Sequence, residues 1–218
     1  MDIRVENWGL IRYIDAHHEQ IKRVEELING YGKESIIICR HHPVVTLGKQ
    51  ATEQDLTGWS GEIHKVERGG KATYHGPKQI IIYPILDLKN RGQNIGGLLQ
   101  LLQNVLVGLL SEQGLSARGT PSYAGVWVRD ETQNNERKVA SIGLAVKKWI
   151  TYHGLALNLA HDPLAFKGIA SCGLESNLMT YMEEQTRVKV NRENLELQLV
   201  DRLQNSLKTD HPIQVATR

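Results

Sequence analysis

The sequence predicts a mixed α/β domain of the α+β kind. Two observations carry the prediction: short β-branched runs are interleaved with helical periodicities, and several strand signals lie close enough along the chain to pair with their neighbours. A third observation is permissive: 40% hydrophobic and 23% charged residues in 218 positions is an ordinary folded composition with material for a sizeable core. No stretch reads as a linker, repeat or low-complexity tract, so residues 1–218 are taken as a single domain.

Each element has its own signal. Ile14, His17, Ile21, Val24 and Ile28 recur at helical spacing, and Gly30 and Gly32 supply a stop. Ser35 to Arg40, built on Ile36-Ile37-Ile38-Cys39, reads as a buried strand. His41-His42-Pro43 forces an extended or turn geometry before Val44 to Gly48. A further strand is expected from Ile80 to Leu88. Ile95, Leu98, Leu99, Leu102, Val105, Leu106, Leu109 and Leu110 form the clearest amphipathic helix, ending at Gly114. Val126 to Asp130 and Lys138 to Val146 read as strands around the polar turn Glu131-Thr132-Gln133-Asn134-Asn135. Trp149 to Leu159 is a strand placed to pair with the one before it. Leu195, Leu199, Val200, Leu203 and Leu207 share one helical face, with Asn191 as N-cap.

Composition excludes several functions. Lys and Arg number 26 against 24 Asp and Glu, and a formal charge of +2 argues for neither nucleic acid nor an anionic membrane surface. Asp2, Arg4 and Glu6 stand where a signal peptide needs an apolar run, and the Leu-rich segment near residue 100 is broken by Gln and Gly. A cytoplasmic protein is expected. Two cysteines make no disulfide framework and are too few for a cysteine-based zinc site. His17-His18 and His41-His42 look suggestive, but adjacent side chains diverge on a helix and alternate on a strand. Neither pair chelates alone, so no metal site is predicted.

Four segments concentrate residues of chemical interest. Arg68-Gly69-Gly70-Lys71-Ala72-Thr73-Tyr74-His75 is a glycine-rich loop whose backbone N–H groups can face a ligand, bracketed by the donors Arg68 and His75. Its bland alternative is a turn between strands. Lys138 opens a strand whose small residues Ala140, Ser141 and Gly143 leave room beside the backbone. Gly154 follows His153 in a strand, where the histidine is read as a supporting residue. Cys172 sits in a loop between Ser171 and Gly173, a better setting for a nucleophile than the Ile run ending at Cys39. On this local pattern alone, an inert, partly buried thiol is the favoured reading of Cys172.

Taken in order, the segments resemble one family. His42-Pro43-Val44-Val45-Thr46-Leu47-Gly48, Arg68 to Pro77, Gly125-Val126-Trp127-Val128, Lys138 to Gly143, Trp149 to Asn158 and Ser171-Cys172-Gly173 are similar to the motifs of the lipoyl(octanoyl) transferases. The resemblance implies the fold of biotin and lipoate protein ligases, a mixed sheet packed on helices around an acyl pocket. It implies Cys172 as the acyl-thioester nucleophile and Lys138 as its dyad partner. It also implies substrate binding by Arg68, Gly69, Gly70, Lys71, Ala72, Thr73, Tyr74 and His75, by Ser141, Ile142 and Gly143, and by Gly154, Leu155 and Ala156. No cofactor is implied. The implied donor is octanoyl-acyl carrier protein, and the implied acceptors are lipoyl domains of 2-oxoacid dehydrogenase complexes and the glycine cleavage H protein.

Small residues at Gly143, Gly154 and Ala156 are expected to line an acyl tunnel, with an oxyanion held by N–H groups at Cys172 and near Gly69-Gly70. Arg137, Lys147 and Lys148, beside the dyad strand, are candidates for docking an acidic carrier. The sequence departs from the family at Lys78, where glycine is usual, and at Ser171, where proline is common. Rival readings are an ATP-dependent ligase on the same fold, an amidotransferase between lipoyl domains, and an acyl-binding module without turnover.

Overall fold

Period-two burial along the central strands sets the layers of the molecule. The structure, a computed structural model, describes residues 3–120, 124–171 and 176–209. Its elements are β1 (Arg4–Ile11), α1 (Tyr13–Ile28), β2 (Ser35–His41), β3 (Val44–Leu47), β4 (Glu62–Lys65), β5 (Ala72–His75) and β6 (Gln79–Ile85). There follow α2 (Ile95–Glu112), β7 (Ala117–Gly119), β8 (Gly125–Asp130), β9 (Asn135–Lys147), β10 (Ile150–Asn158), α3 (Met182–Thr186) and α4 (Arg192–Thr209). Seven strands form one sheet in the order β1-β2-β6-β10-β9-β8-β7, and β4-β3-β5 form a second. Among the described strand pairs, β1 with β2 and β3 with β4 run parallel and the others are antiparallel. The mixed sheet and the packed helices are the α+β architecture that the sequence predicts.

Ile36 and Ile38 of β2, Ile80 and Ile82 of β6, and Leu155 and Leu157 of β10 face one core, filled by leucines of α2 and α4. Ile37 and Cys39, Ile81 and Tyr83, and Tyr152 and Ala156 face the other way, onto Ala16 and Val24 of α1. A β-strand sends successive side chains to opposite faces, so Ile-Ile-Ile runs serve both cores at once.

The helix ends follow local chemistry. Asn94 Oδ1 accepts from the Gly97 N–H at 2.8 Å, and Asn191 Oδ1 from the Asn194 N–H at 3.0 Å, which makes Asn191 the predicted cap of α4. α1 and α2 end just before Gly30 (φ +80°) and Gly114 (φ +79°), a left-handed conformation that suits glycine. α2 is 18 residues long and apolar enough to cross a membrane, against the expectation that no segment approaches that limit. Its leucines are spent on the core beneath it: Leu98, Leu102, Leu106 and Leu109 are fully buried against the sheet and α4.

Some elements were not predicted. β1 is an edge strand with no fully buried residue, β7 has three residues, α3 has five, and β5 lies inside the stretch read as a glycine loop. Strand β6 ends at Ile85, short of the predicted Leu88. In β9 the pairing with β8 slips by one residue: Val126 faces Ala140 but Trp127 faces Lys138. Val139 and Ala140, adjacent in sequence, consequently pack in the same core. This is a β-bulge, which re-aims the side chains beyond it.

Candidate active site

A cavity of about 450 Å³ opens where β9 and β10 run past the loop that leads into β5. Gly143 of β9 and Gly154 of β10 are cross-strand partners. A Cβ on Gly143 would lie 3.0 Å from Arg68 Cδ, so that glycine lets the Arg68 stem cross the sheet. A Cβ on Gly154 would lie 2.0 Å from the Ile82 carbonyl oxygen, so that glycine admits the backbone of β6. Both line the cavity, as do Ser141, Ile142, Leu155 and Ala156. Ile95 and Leu99 at the start of α2 extend the apolar wall.

The stretch Arg68 to His75 divides by strand alternation. Arg68, Gly69, Gly70, Lys71, Thr73 and His75 line this cavity. Ala72 and Tyr74 do not: they lie on the opposite face of β5, packed with Val45, Phe166 and Ile169. Tyr74 donates to Asp162 Oδ2 at 2.7 Å and borders a separate cavity of about 300 Å³. Arg68 is expected as a ligand donor, but its guanidinium is engaged with β3. Its Nη2 donates to the Thr46 carbonyl and hydroxyl, both at 2.8 Å, and its Nη1 to the Gly69 carbonyl at 3.0 Å. The Gly69 N–H donates to the Leu144 carbonyl at 3.1 Å, which removes it from the expected oxyanion site. Arg68 and Gly69 therefore shape the loop.

Lys138 is buried in the cavity wall, with 1% of its surface exposed. A Cβ on Gly125 would meet Lys138 Cε at 2.6 Å, so the bare backbone of β8 leaves a channel for the lysine stem. Cys172 and Gly173 lie outside the described residues, and so does the expected N–H at Cys172. The chain before them is anchored at the cavity: Ser171 is fully buried with its Oγ 3.5 Å from Thr73 Oγ1, and Ala170 N–H donates to Asp55 O at 2.9 Å. The chain after them is anchored at Lys138, whose carbonyl accepts from Thr180 N–H at 2.9 Å. Cys39 is the other kind of thiol, a buried core residue whose pKa is pushed up, first by burial and then by the charge of Glu196.

Imidazoles and phenols from several elements line the cavity (Tyr13, His75, Tyr83 and His153) or, in the case of His41, pack behind its wall. His41 Nδ1 donates to the Ile11 carbonyl at 3.0 Å, which leaves Nε2 to accept from the Tyr83 hydroxyl at 2.6 Å. Burial lowers the His41 pKa to about 4. His75 is held well below the ordinary histidine value by burial, then by His41 and Arg68, and its Nδ1 is buried with no hydrogen-bond partner among the described residues. His153 (φ +57°) is pushed down to about 3 by burial, then by His17 and Arg68. Each is a neutral imidazole at neutral pH. Tyr13, whose ring stacks on His75 with centroids 6.1 Å apart, lies against this cluster. Sequence reading missed Tyr13, Gln50, Tyr83 and Leu144 as lining residues. Of these, Tyr83 is placed on the wall by the two-residue period of β6.

The three basic residues expected to meet a carrier protein differ in their surroundings. Arg137 is buried: its Nη1 pairs with Asp130 at 3.0 Å and Glu184 at 2.7 Å, while Nε and Nη2 donate to the carbonyls of Asn177 and Met179. It braces the chain beyond Cys172 and is no docking residue. Lys147 pairs with Glu25, and Lys148 is exposed at the turn between β9 and β10.

A sheet with helices on both faces and an apolar cavity walled by a buried lysine and a glycine loop defines a class. The chain matches the lipoyl protein ligase A/B catalytic domain family over residues 10–204 and belongs to it. Within that family the chain is one of the octanoyltransferases. It is 35% identical over 206 residues to an octanoyltransferase of Bdellovibrio bacteriovorus, covering 87% of this chain and 91% of that one. It is 32% identical over 216 residues to an octanoyltransferase of Syntrophotalea carbinolica, covering 99% and 100%. In three dimensions it is similar to the bi-partite lipoate protein ligase of Thermoplasma acidophilum, solved in work that includes its E2 lipoyl domain. The TM-score is 0.67 at 15% identity, over 97% of this chain and 86% of that one, a likeness of fold.

Proposed function

We propose that the chain moves an octanoyl group from the thioester of an acyl carrier protein to a lysine of a lipoyl domain, through a thioester on Cys172. The observation that carries this reading is a buried lysine, Lys138, in the wall of a largely apolar cavity, with the residues on both sides of Cys172 anchored to that wall or to Lys138 itself. Its volume of about 450 Å³ falls inside the range of about 300–1,000 Å³ usual for small-ligand sites. The octanoyltransferase relatives support the transferred group, and the lipoyl domain named with the T. acidophilum ligase supports the class of acceptor.

The chemistry runs in two exchanges. The Cys172 thiolate attacks the thioester carbonyl carbon; a new C–S bond forms, the donor C–S bond breaks, and the carrier thiol leaves with a proton. The acceptor amine then attacks the enzyme thioester, an amide forms, and Cys172 leaves as thiolate. A free thiol has a pKa of about 8.5, so an ammonium on Lys138 favours the attacking thiolate. In the second exchange Lys138 takes the proton that the acceptor amine must lose. One proton shared across the Cys172–Lys138 pair serves both steps. The first step is nearly balanced, and the second runs downhill because an amide is more stable than a thioester. The donor arrives activated, so no ATP enters the scheme.

Ile142, Leu155, Ala156 and Leu99 would hold the acyl chain, and Ser141, Thr73 and the neutral His75 would face its carbonyl end. The deciding experiment is a mass measurement. Protein incubated with octanoyl-carrier protein, without ATP, should gain a hydroxylamine-labile octanoyl group on Cys172, and Cys172→Ser should lose both the adduct and transfer to a lipoyl domain. Absence of the adduct, with ATP-dependent transfer of free octanoate in its place, would overturn the proposal in favour of a ligase.

A further inference from the structure

His17, Glu67 and His153 are far apart in sequence, and the fold brings them together beside the acyl cavity, whose wall includes His153. His17 comes from α1, Glu67 from the residue before the Arg68 loop, and His153 from β10. Their ligand-capable atoms all lie within 4.8 Å of one another. His17 Nε2 is 3.5 Å and His153 Nε2 3.8 Å from the same oxygen, Glu67 Oε2.

These separations are too long for charge-assisted hydrogen bonds, which run about 2.7–2.9 Å. Both imidazole Nε2 atoms are buried with no hydrogen-bond partner among the described residues. Leaving a buried acceptor or donor unpaired is unfavourable, so two converging on one carboxylate require an explanation. Bonds of about 2.0–2.1 Å at tetrahedral angles place ligand atoms about 3.3 Å apart, close to the two distances observed. From this the geometry points to a divalent-cation site of the zinc class, held by His17, Glu67 and His153 with the remaining position open to solvent.

The surroundings suit that ion. His153 Nδ1 lies 3.4 Å from the Tyr13 hydroxyl, a contact that orients the ring and leaves Nε2 to the ion. Two imidazoles and one carboxylate favour zinc, cobalt or nickel over magnesium and calcium, which prefer all-oxygen shells. The Glu67 side chain is 53% exposed, so an ion can reach the site from solvent, whereas the His153 side chain is 3% exposed and fixes its inner corner. An ion there would tie Glu67, and with it the Arg68-Gly69-Gly70 loop, to both α1 and the sheet. The triad is not visible as a motif, because the two adjacent histidine pairs supply only one of its members, His17, and the other two come from distant segments.

The test uses tag-free protein and Co²⁺, whose d–d absorption reports low-coordinate binding, with Zn²⁺ calorimetry for stoichiometry. One ion per chain is expected. His17→Gln and Glu67→Gln should each weaken binding at least roughly tenfold, and His18→Gln, at an exposed position on the same helix, should leave it unchanged. Saturating Zn²⁺ should raise the wild-type Tm by roughly 5 °C and not that of His17→Gln. Glu67 is exposed, so its variant stays folded and keeps the test decisive if His17→Gln is unstable. No saturable binding, or wild-type affinity in the Glu67→Gln variant, would overturn the site.

Discussion

Replacing Arg137 by methionine should destabilise the protein by about 3 kcal/mol near neutral pH. Arg137 and Asp130 are 7% and 3% exposed, and their ion pair closes at 3.0 Å. Removing one member of a buried pair strands the other, at a cost of about 3–5 kcal/mol. Asp130 would keep hydrogen bonds from Thr132, Gln133 and Gln185, which places the loss at the lower end. Glu184 is partly exposed and its share is below about 1 kcal/mol. For a chain of this size, about 3 kcal/mol corresponds to a Tm lower by about 6–12 °C. The pH dependence follows from Asp130. Burial works against its charged form, but hydrogen bonds from Thr132, Gln185 and Arg137 outweigh that and hold its carboxyl well below the usual range. A depressed carboxyl stabilises the fold at pH above its unfolded value of about 4, and loses that contribution as the pH falls towards its folded value. The gap between wild type and Arg137→Met should therefore be widest near pH 7 and narrow below about pH 4. Urea unfolding at both pH values measures it, and Asp130→Asn added to Arg137→Met should recover part of the loss. A deficit under about 1 kcal/mol at pH 7, or one that is the same at pH 3, would refute the assignment of Arg137 as a buried brace.

The two cavity glycines should respond differently to alanine. Gly154→Ala drives a methyl into the Ile82 carbonyl and should cost about 3 kcal/mol as β6 and β10 are forced apart, whereas Gly143→Ala displaces the Arg68 loop and should lower acyl-adduct formation more than stability. Near-wild-type urea stability of Gly154→Ala would contradict the packing account. Cys39 should resist iodoacetamide in native buffer and react only in denaturant, since its thiol is buried and its pKa raised. Peptide mapping that finds Cys39 alkylated in the folded protein at the rate of a free thiol would count against its place in the core.

Much of the fold can be read from periodicity because the central strands are buried on both faces. The Ile runs of β2 and β6 and the heptad-like leucines of α2 and α4 are strong signals. β1 escapes notice because it is an edge strand, paired with β2 and with none of its residues fully buried, so no burial pattern marks it. β5 escapes because its flanking glycines look like a loop, and with it went the knowledge that Ala72 and Tyr74 face away from Thr73 and His75. Arg68, Arg137 and Lys147 each looked available for a ligand or partner, since a one-dimensional reading shows a positive charge and not the Thr46, Asp130 or Glu25 that engages it. The cation triad escaped for a related reason, as its members stand about fifty and eighty-six positions apart in the chain.

The slipped pairing between β8 and β9 gives Lys138 its address. Counting back from Ala140 in an uninterrupted strand, position 138 would share the face packed beneath α2. The extra residue at Val139 changes odd to even, and Lys138 emerges in the cavity wall while every residue after it keeps its place. The location of the proposed base is thus a matter of parity. It depends on how many residues the strand contains, as much as on which ones, and two chains with identical motifs but a different count at this point would present different chemistry.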